Sequence, residues 1–260
     1  MDPKAEIDSS AEIGPYAIID GPVRIGAGTR VYWHATVCGR TEIGRHCCIH
    51  PYAIVGHAPQ DRAYDGGDTA CRIGDETIVR EYASIHRGTG EGTATVVGKR
   101  CFLMASAHVG HNCQIGDDVT LVNAVLLAGH VTVGNAAFLG GMAGVHQFVR
   151  IGELAMVGGQ ALIRMDVPPF FTAVRFGECS GINVVGLRRA GFSGDERKEL
   201  RGAYRTLYRS GHTFTHAVGE LDKTLQTAPG RRLVAFLLAS SKRGVTGGRS
   251  RRFADASNDD

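Results

Sequence analysis

The stretch Met104-Ala105-Ser106-Ala107-His108-Val109-Gly110-His111-Asn112-Cys113 places two imidazoles three residues apart, with an amide directly after the second. A neutral imidazole near pH 7 can take a proton from a hydroxyl or an amine. Two more histidines follow at wider spacing: His130 directly after Gly129, and His146 directly before Gln147. A lone histidine on a scaffold is usually structural. Whether these four act together depends on the frame that carries them.

That frame is a six-residue repeat. Aliphatic residues recur at Ile7, Ile13, Ile19, Ile25, Val31, Val37, Ile43, Ile49 and Val55, and the series holds its phase to Ile163, failing only at positions 61, 67 and 91. A small residue stands four places after each aliphatic, from Ala11 and Ala17 to Ala155 and Ala161, with Pro59 out of line. Period six is neither the 3.6 of a helix nor the 2 of an alternating strand. It fits a solenoid of short strands and turns, in which three hexads make one triangular coil of about 18 residues. The aliphatic points into the prism and the small residue sits near a corner.

In such a coil, residues one coil apart stack. His111 lies over Gly129, and Gly129 over Gln147, with His130 and His146 flanking them. His108 is on the neighbouring edge. One strip of the prism therefore carries three histidines around a glycine with no side chain to block approach. An imidazole can take a proton from a nucleophile, and the Gly129 N–H beside it can stabilise the oxyanion of a thioester carbonyl. No Gly-x-Ser-x-Gly elbow is present and no cysteine is paired with these histidines, so direct acyl transfer is expected rather than a covalent enzyme intermediate.

Composition excludes other classes. Net charge is +3 with 21% charged residues, which argues for no nucleic acid. No run approaches the roughly 18 apolar residues of a membrane span. The first residues lack the apolar core of a signal peptide. Seven cysteines without C-x-x-C spacing suggest reduced thiols in a cytoplasmic protein.

Two stretches interrupt the hexads, residues 56–72 and roughly 88–95. Long insertions in a regular scaffold are usually functional or disordered; the first carries carboxylates and basic groups. The solenoid is expected to end near Asp166-Val167-Pro168-Pro169, because two prolines remove donors. An irregular link follows. Ser193-Gly194-Asp195-Glu196 reads as a capping box, ahead of an apolar stripe of Leu200, Ala203, Tyr204, Leu207 and Tyr208. A second helix is expected from Thr213 to about Gln226, broken by Pro229-Gly230, and a third over about 231–242. The division is therefore a mainly β solenoid over 1–166, a small C-terminal α-helical domain over 167–243, and a disordered tail over 244–260.

The hexads resemble the left-handed parallel β-helix of the hexapeptide-repeat acyltransferases. The match sharpens at Ile85-His86-Arg87-Gly88-Thr89, Ala107-His108-Val109-Gly110-His111, Leu127-Ala128-Gly129-His130-Val131, Val145-His146-Gln147-Phe148 and Gly186-Leu187-Arg188-Arg189-Ala190-Gly191-Phe192-Ser193. These stretches are similar to the family of UDP-N-acetylglucosamine acyltransferases of lipid A biosynthesis, over about residues 7–240. The resemblance implies a homotrimer with sites between subunits, a 3-hydroxyacyl group delivered by acyl carrier protein, and the 3-position of UDP-N-acetylglucosamine as acceptor. It implies no metal and no cofactor, since the phosphopantetheine of the carrier holds the acyl group. His111 would be the general base, Gly129 the oxyanion donor and Asn112 the partner of the base. Asp61, His86, His108, His130, His146 and Gln147 would contact substrates, Asn183 and Arg189 the nucleotide end, and Gly159 would limit acyl length.

Three positions depart from the family pattern: Asn112 where aspartate is usual, Ala63 where lysine is usual, and Ala190 in the Arg-Arg-Gly-Phe run. Asn112 can still hold the imidazole tautomer but cannot neutralise an imidazolium. Three other readings compete: a γ-class carbonic anhydrase with histidine ligands between subunits, a non-catalytic trimeric scaffold, and acylation of a 3-amino sugar.

Overall fold

A computed structural model describes residues 1–248. Short strands of two to five residues build three sheets that form the faces of a left-handed parallel β-helix. One sheet runs from Glu6–Ile7 to Arg150–Ile151. The second runs from Glu12–Ile13 to Met156–Val157 and beyond. The third runs from Ile18–Asp20 to Leu162–Ile163. The hexad aliphatics fill the prism: Ile49, Ile85, Leu103, Leu121, Leu127 and Leu139 have no exposed surface. Burying each such side chain contributes about 1.5–3 kcal/mol, gained only against the next coil.

Register explains why the repeat keeps its phase across the insertions. Glu6 pairs with Arg24, Gln114 with Thr132 and Thr132 with Arg150, a step of 18 residues. Across the first insertion Arg40 pairs with Ala70, a step of 30; across the second Ala70 pairs with Ala94, a step of 24. The inserted lengths are therefore 12 and 6 residues, both whole hexads. Most turns carry a residue in the left-handed region, among them Asn112 (φ 60°) and His130 (φ 59°).

The C-terminal part departs from the sequence expectation in four ways. First, the prolines do not end the sheet. Phe171–Val174 pairs in parallel with Met156–Val157 and turns back as a hairpin with Glu178–Ile182, where an irregular link was expected. Pro168 and Pro169 lie ahead of this strand, so no ladder donor is lost. Second, a short helix α1 (Val184–Arg189) precedes α2 (Gly194–Arg209), whose capping box from Ser193 and Glu196 is formed. Third, after α3 (Phe214–Thr224), Pro229 and Gly230 lie in the first turn of α4 (Ala228–Leu238) rather than breaking a helix. Proline suits that turn because its missing N–H has no intrahelical acceptor there.

Fourth, residues 244–248 of the expected disordered tail are docked. Val245 bridges Asp166, Gly248 bridges Cys179, and Thr246 is buried. Asp166 anchors this edge: fully buried, it accepts from the Arg150 backbone N–H (2.8 Å) and Nε (2.7 Å). The rest of that tail, 249–260, lies outside the described residues. Phe170, Phe171, Leu187, Leu200, Leu207, Leu221 and Leu233 form a second core between the hairpin and the helices.

Candidate functional site

His111 and Gly129 stack as the register requires. The His130 N–H donates to the His111 carbonyl at 2.9 Å. A Cβ on Gly129 would lie 2.4 Å from His111 Nε2 and 2.5 Å from Cε1, so only glycine leaves room for the ring. Gly129 is buried, and its N–H donates to no acceptor among the described residues. At another corner of the prism, the N–H at the same place in the hexad is satisfied: the Lys99 N–H donates to Asp117 Oδ1 and the Asp117 N–H to Asn135 Oδ1. The strip thus presents a donor without a partner directly under an imidazole.

Asn112 fixes the tautomer of that imidazole. Its Oδ1 accepts from the Thr89 backbone N–H at 2.8 Å and lies 2.9 Å from His111 Nδ1. A backbone N–H can only donate, so the amide oxygen, not the nitrogen, faces both groups. Nδ1 must then carry the proton, and Nε2 keeps its lone pair. The left-handed backbone at Asn112 is held by its own N–H, which donates to Thr95 Oγ1 at 2.8 Å.

The two insertions complete the surroundings. They are tied to each other: the Asp68 N–H donates to Glu91 Oε2 (2.9 Å) and the Gly92 N–H to the Asp68 carbonyl (2.9 Å). The first brings Asp61 Oδ2 to 3.7 Å from His111 Nε2. The Ala63 N–H, with a smaller contribution from His111 beside it, holds the Asp61 carboxyl below the usual carboxylate range. The second supplies Thr89, whose hydroxyl is buried without a partner among the described residues.

Around this centre His86, His108 and His130 have their protonated forms disfavoured. Burial, then the nearness of His108 and His57, pushes His86 down to about 4; its Nδ1 accepts from the Gln60 N–H at 3.1 Å. Burial and His111 lower His108, whose Nδ1 is 2.8 Å from Ser84 Oγ. Burial, His111 and Lys242 lower His130, which stacks on Phe148 at 4.7 Å. Lys242 Nζ sits 4.3 Å above the same Phe148 ring. The helix expected to run to 242 stops at Leu238, which frees the following residues to reach the strip.

A cleft of about 540 Å³ opens on the third sheet, lined by Gln60, His108, Leu126, Gly144, His146 and Leu162. At the corner on the other side of this sheet Gly159 stacks over Gly141, a Cβ on Gly159 lying 3.3 Å from the Gly141 carbonyl oxygen. Gln147 continues the His111–Gly129 column beside exposed His146. A larger open groove of about 930 Å³ lies over the first sheet, among Glu6, Arg24, Glu42, Arg72 and Lys99, and carries no imidazole.

Within the chain, Asp61, His86, His108, Asn112, His130 and Gly129 gather around His111. Asn183 and Arg189 do not join them. Asn183 caps α1, accepting from the Gly186 N–H (3.0 Å) and donating to the Leu154 carbonyl (2.9 Å), and exposed Arg189 ends the same helix. Sequence reasoning missed Ser84, the roles of Thr89 and Thr95, Phe148 and Lys242. Thr89 was visible only as part of a motif, and nothing in the repeat pointed to Lys242. No helix among the described residues is long and apolar enough to cross a membrane.

Known proteins match both parts of the chain. A family model described as UDP N-acetylglucosamine O-acyltransferase, domain 2, matches residues 166–246, and one described as bacterial transferase hexapeptide (six repeats) matches residues 94–129. An acyl-[acyl-carrier-protein]–UDP-N-acetylglucosamine O-acyltransferase of Alkalilimnicola ehrlichii is 43% identical over 247 residues, 94% of this chain and 96% of that protein. A protein of the same name from Synechocystis is 43% identical over 205 residues, covering 78% of this chain and 74% of its own length. The crystal structure of the Francisella novicida UDP-N-acetylglucosamine acyltransferase superposes with a TM-score of 0.92 at 36% identity, over 96% of this chain and 92% of that one.

Proposed function

The chain belongs to the family of acyl-[acyl-carrier-protein]–UDP-N-acetylglucosamine O-acyltransferases, and from that premise we propose that it moves a 3-hydroxyacyl group from acyl carrier protein to the 3-hydroxyl of UDP-N-acetylglucosamine, the first step of lipid A biosynthesis, with His111 as general base. The observation that carries the mechanism is the Thr89–Asn112–His111 relay, which leaves the Nε2 lone pair facing the cleft side of Gly129 and Asp61.

In this reading Asp61 positions the sugar beside Nε2. His111 takes the proton of the 3-hydroxyl as its oxygen attacks the thioester carbonyl. The oxyanion is received by the unpartnered Gly129 N–H. Collapse breaks the C–S bond, and the imidazolium returns its proton to the departing thiolate. During the charged interval Asn112 offers only an amide dipole, while the Asp61 carboxylate is the nearest anion. His86, His108 and His130, held neutral, do not add positive charge against the forming imidazolium. The acyl chain would lie along the third-sheet cleft toward Gly159.

A homotrimer is the assembly this reading requires. Asn183 and Arg189 lie away from the strip and would serve a neighbouring subunit's nucleotide. The outward face of the third sheet supports packing between subunits, since Ile18, Ile54, Leu126 and Leu162 are all at least 40% exposed there. A soluble cytoplasmic enzyme is consistent with these substrates.

The test is an acyl-transfer assay with purified acyl carrier protein thioesters and UDP-N-acetylglucosamine, on the wild type and on His111→Ala. General base catalysis contributes about 10²–10⁴-fold. A folded His111→Ala protein with wild-type turnover would overturn the assignment, and sedimentation showing a fully active monomer would remove the shared site.

A further inference from the structure

Far along the chain from the solenoid strip, a second group of imidazoles converges. His212, His216 and Glu220 follow one another at intervals of four residues at the start of α3. Acyl transfer uses none of them. Thr213 caps the helix, its hydroxyl accepting from the His216 N–H, so the first turn is fixed. Just outside the cap, the His212 ring meets the His216 ring at 4.4 Å between centroids. On its other side His212 Nδ1 stands 3.3 Å from Glu220 Oε2. One ligand atom from each of the three side chains lies within 4.8 Å of the other two.

We propose that His212, His216 and Glu220 form a binding site for a divalent transition-metal ion of the zinc, nickel or copper class. Residues four apart on a helix share one face, which puts His216 and Glu220 side by side. The residue preceding the cap folds its ring over the same face. Two imidazoles and one carboxylate are a borderline donor set, suited to zinc, nickel and copper and poor for magnesium or calcium, which take oxygen ligands. Zinc takes nitrogen at about 2.0–2.1 Å and carboxylate oxygen at about 2.0–2.2 Å. Ligand atoms around a tetrahedral ion at those distances stand roughly 3.3 Å apart. The His212–Glu220 pair already meets that spacing, and small rotations of two exposed rings bring in the third ligand. The fourth position is open to water, because His212 and His216 are both exposed.

The ion would clip the Ser210-Gly211 link between α2 and α3 to the face of α3. Its role would be to stabilise the helical part rather than to act on substrate.

Calorimetric titration of the chelator-treated full chain with zinc chloride at pH 7.5 tests this, beside magnesium chloride and the variants His216→Ala, Glu220→Gln and His111→Ala. The expected result is one zinc per chain with a raised Tm and no magnesium binding. His216→Ala should weaken zinc binding at least tenfold, Glu220→Gln should weaken it less, and His111→Ala should leave it unchanged. Acyl transfer should be equal in metal-free and zinc-loaded wild type. Absence of zinc binding by the wild type would overturn the proposal. So would binding that survives His216→Ala intact, or that disappears in His111→Ala, which would place the ion on the solenoid strip. Circular dichroism of each variant establishes that α3 is intact.

Discussion

Gly129→Ala is the substitution that most directly probes the geometry of the strip. The φ of Gly129 lies outside the left-handed region, so the alanine backbone is unstrained there. The added methyl, however, would sit 2.4 Å from His111 Nε2 and 2.5 Å from Cε1. Ordinary contact between such atoms is about 3.5 Å, so the ring must move by about 1 Å. It cannot slide freely, because Nδ1 is bonded to Asn112 at 2.9 Å and the His130 ring stands edge-on at 5.2 Å. A 1 Å displacement stretches the Asn112 bond past hydrogen-bonding range and takes Nε2 away from the acceptor hydroxyl. Misplacement of that size costs about 10²-fold in rate. The assay is single-turnover acyl transfer from carrier protein thioester, with thermal melting as the control for folding. Turnover should fall about 10²-fold with the melting transition little changed. Wild-type turnover in a folded Gly129→Ala protein would refute the argument, because the ring would then have to lie elsewhere in the working enzyme.

Asn112→Asp keeps the acceptor for Thr89 N–H and His111 Nδ1 and adds a negative charge. Because a carboxylate stabilises an adjacent imidazolium, it should hold or raise kcat and move the acid limb of the pH–rate profile upward; a profile unmoved on that limb would sever Asn112 from the base. His86 bears on stability. Its folded-state value near 4 lies below its ordinary 6.5, so the unfolded chain binds more protons between those pH values. Stability is therefore full above about pH 6.5 and falls toward pH 4, by roughly 3 kcal/mol from this group. His86→Gln should flatten the pH dependence of Tm across that window, and an unchanged slope would show that other groups carry it. Gly159→Met should fill the far corner of the third-sheet cleft and shift donor preference to shorter acyl chains. Retention of wild-type chain-length preference at full activity would take Gly159 out of the acyl path.

Much of the site can be read in one dimension because the solenoid is nearly one-dimensional. Hexad spacing places every residue on a face or a corner, and a step of 18 stacks His111 on Gly129. The insertions do not spoil this, since their lengths of 12 and 6 residues keep the phase. The helix caps at Ser193 and Thr213 are equally local, set by one hydroxyl and the first-turn N–H groups. Pro229 misled for the same reason: it signals a break inside a helix but a start at its first turn, and only the chain around it decides which.

The sequence by itself thus determined the β-helix, its register and the histidine strip, because each follows from periodicity between near neighbours. Tertiary structure alone decided how Asp61 and Thr89 approach His111. They come from two irregular loops that brace each other through Asp68, Glu91 and Gly92, and no pattern in either loop encodes that pairing. It also decided the Asn112 amide orientation, through a donor 23 residues away in sequence. The hairpin after Pro169, the docking of residues 244–248 and the reach of Lys242 to Phe148 depend likewise on surfaces that exist only once the last coil has formed. Contacts of that kind join segments with no common repeat, so their free energy is written in the assembled shape and not in the spacing of residues.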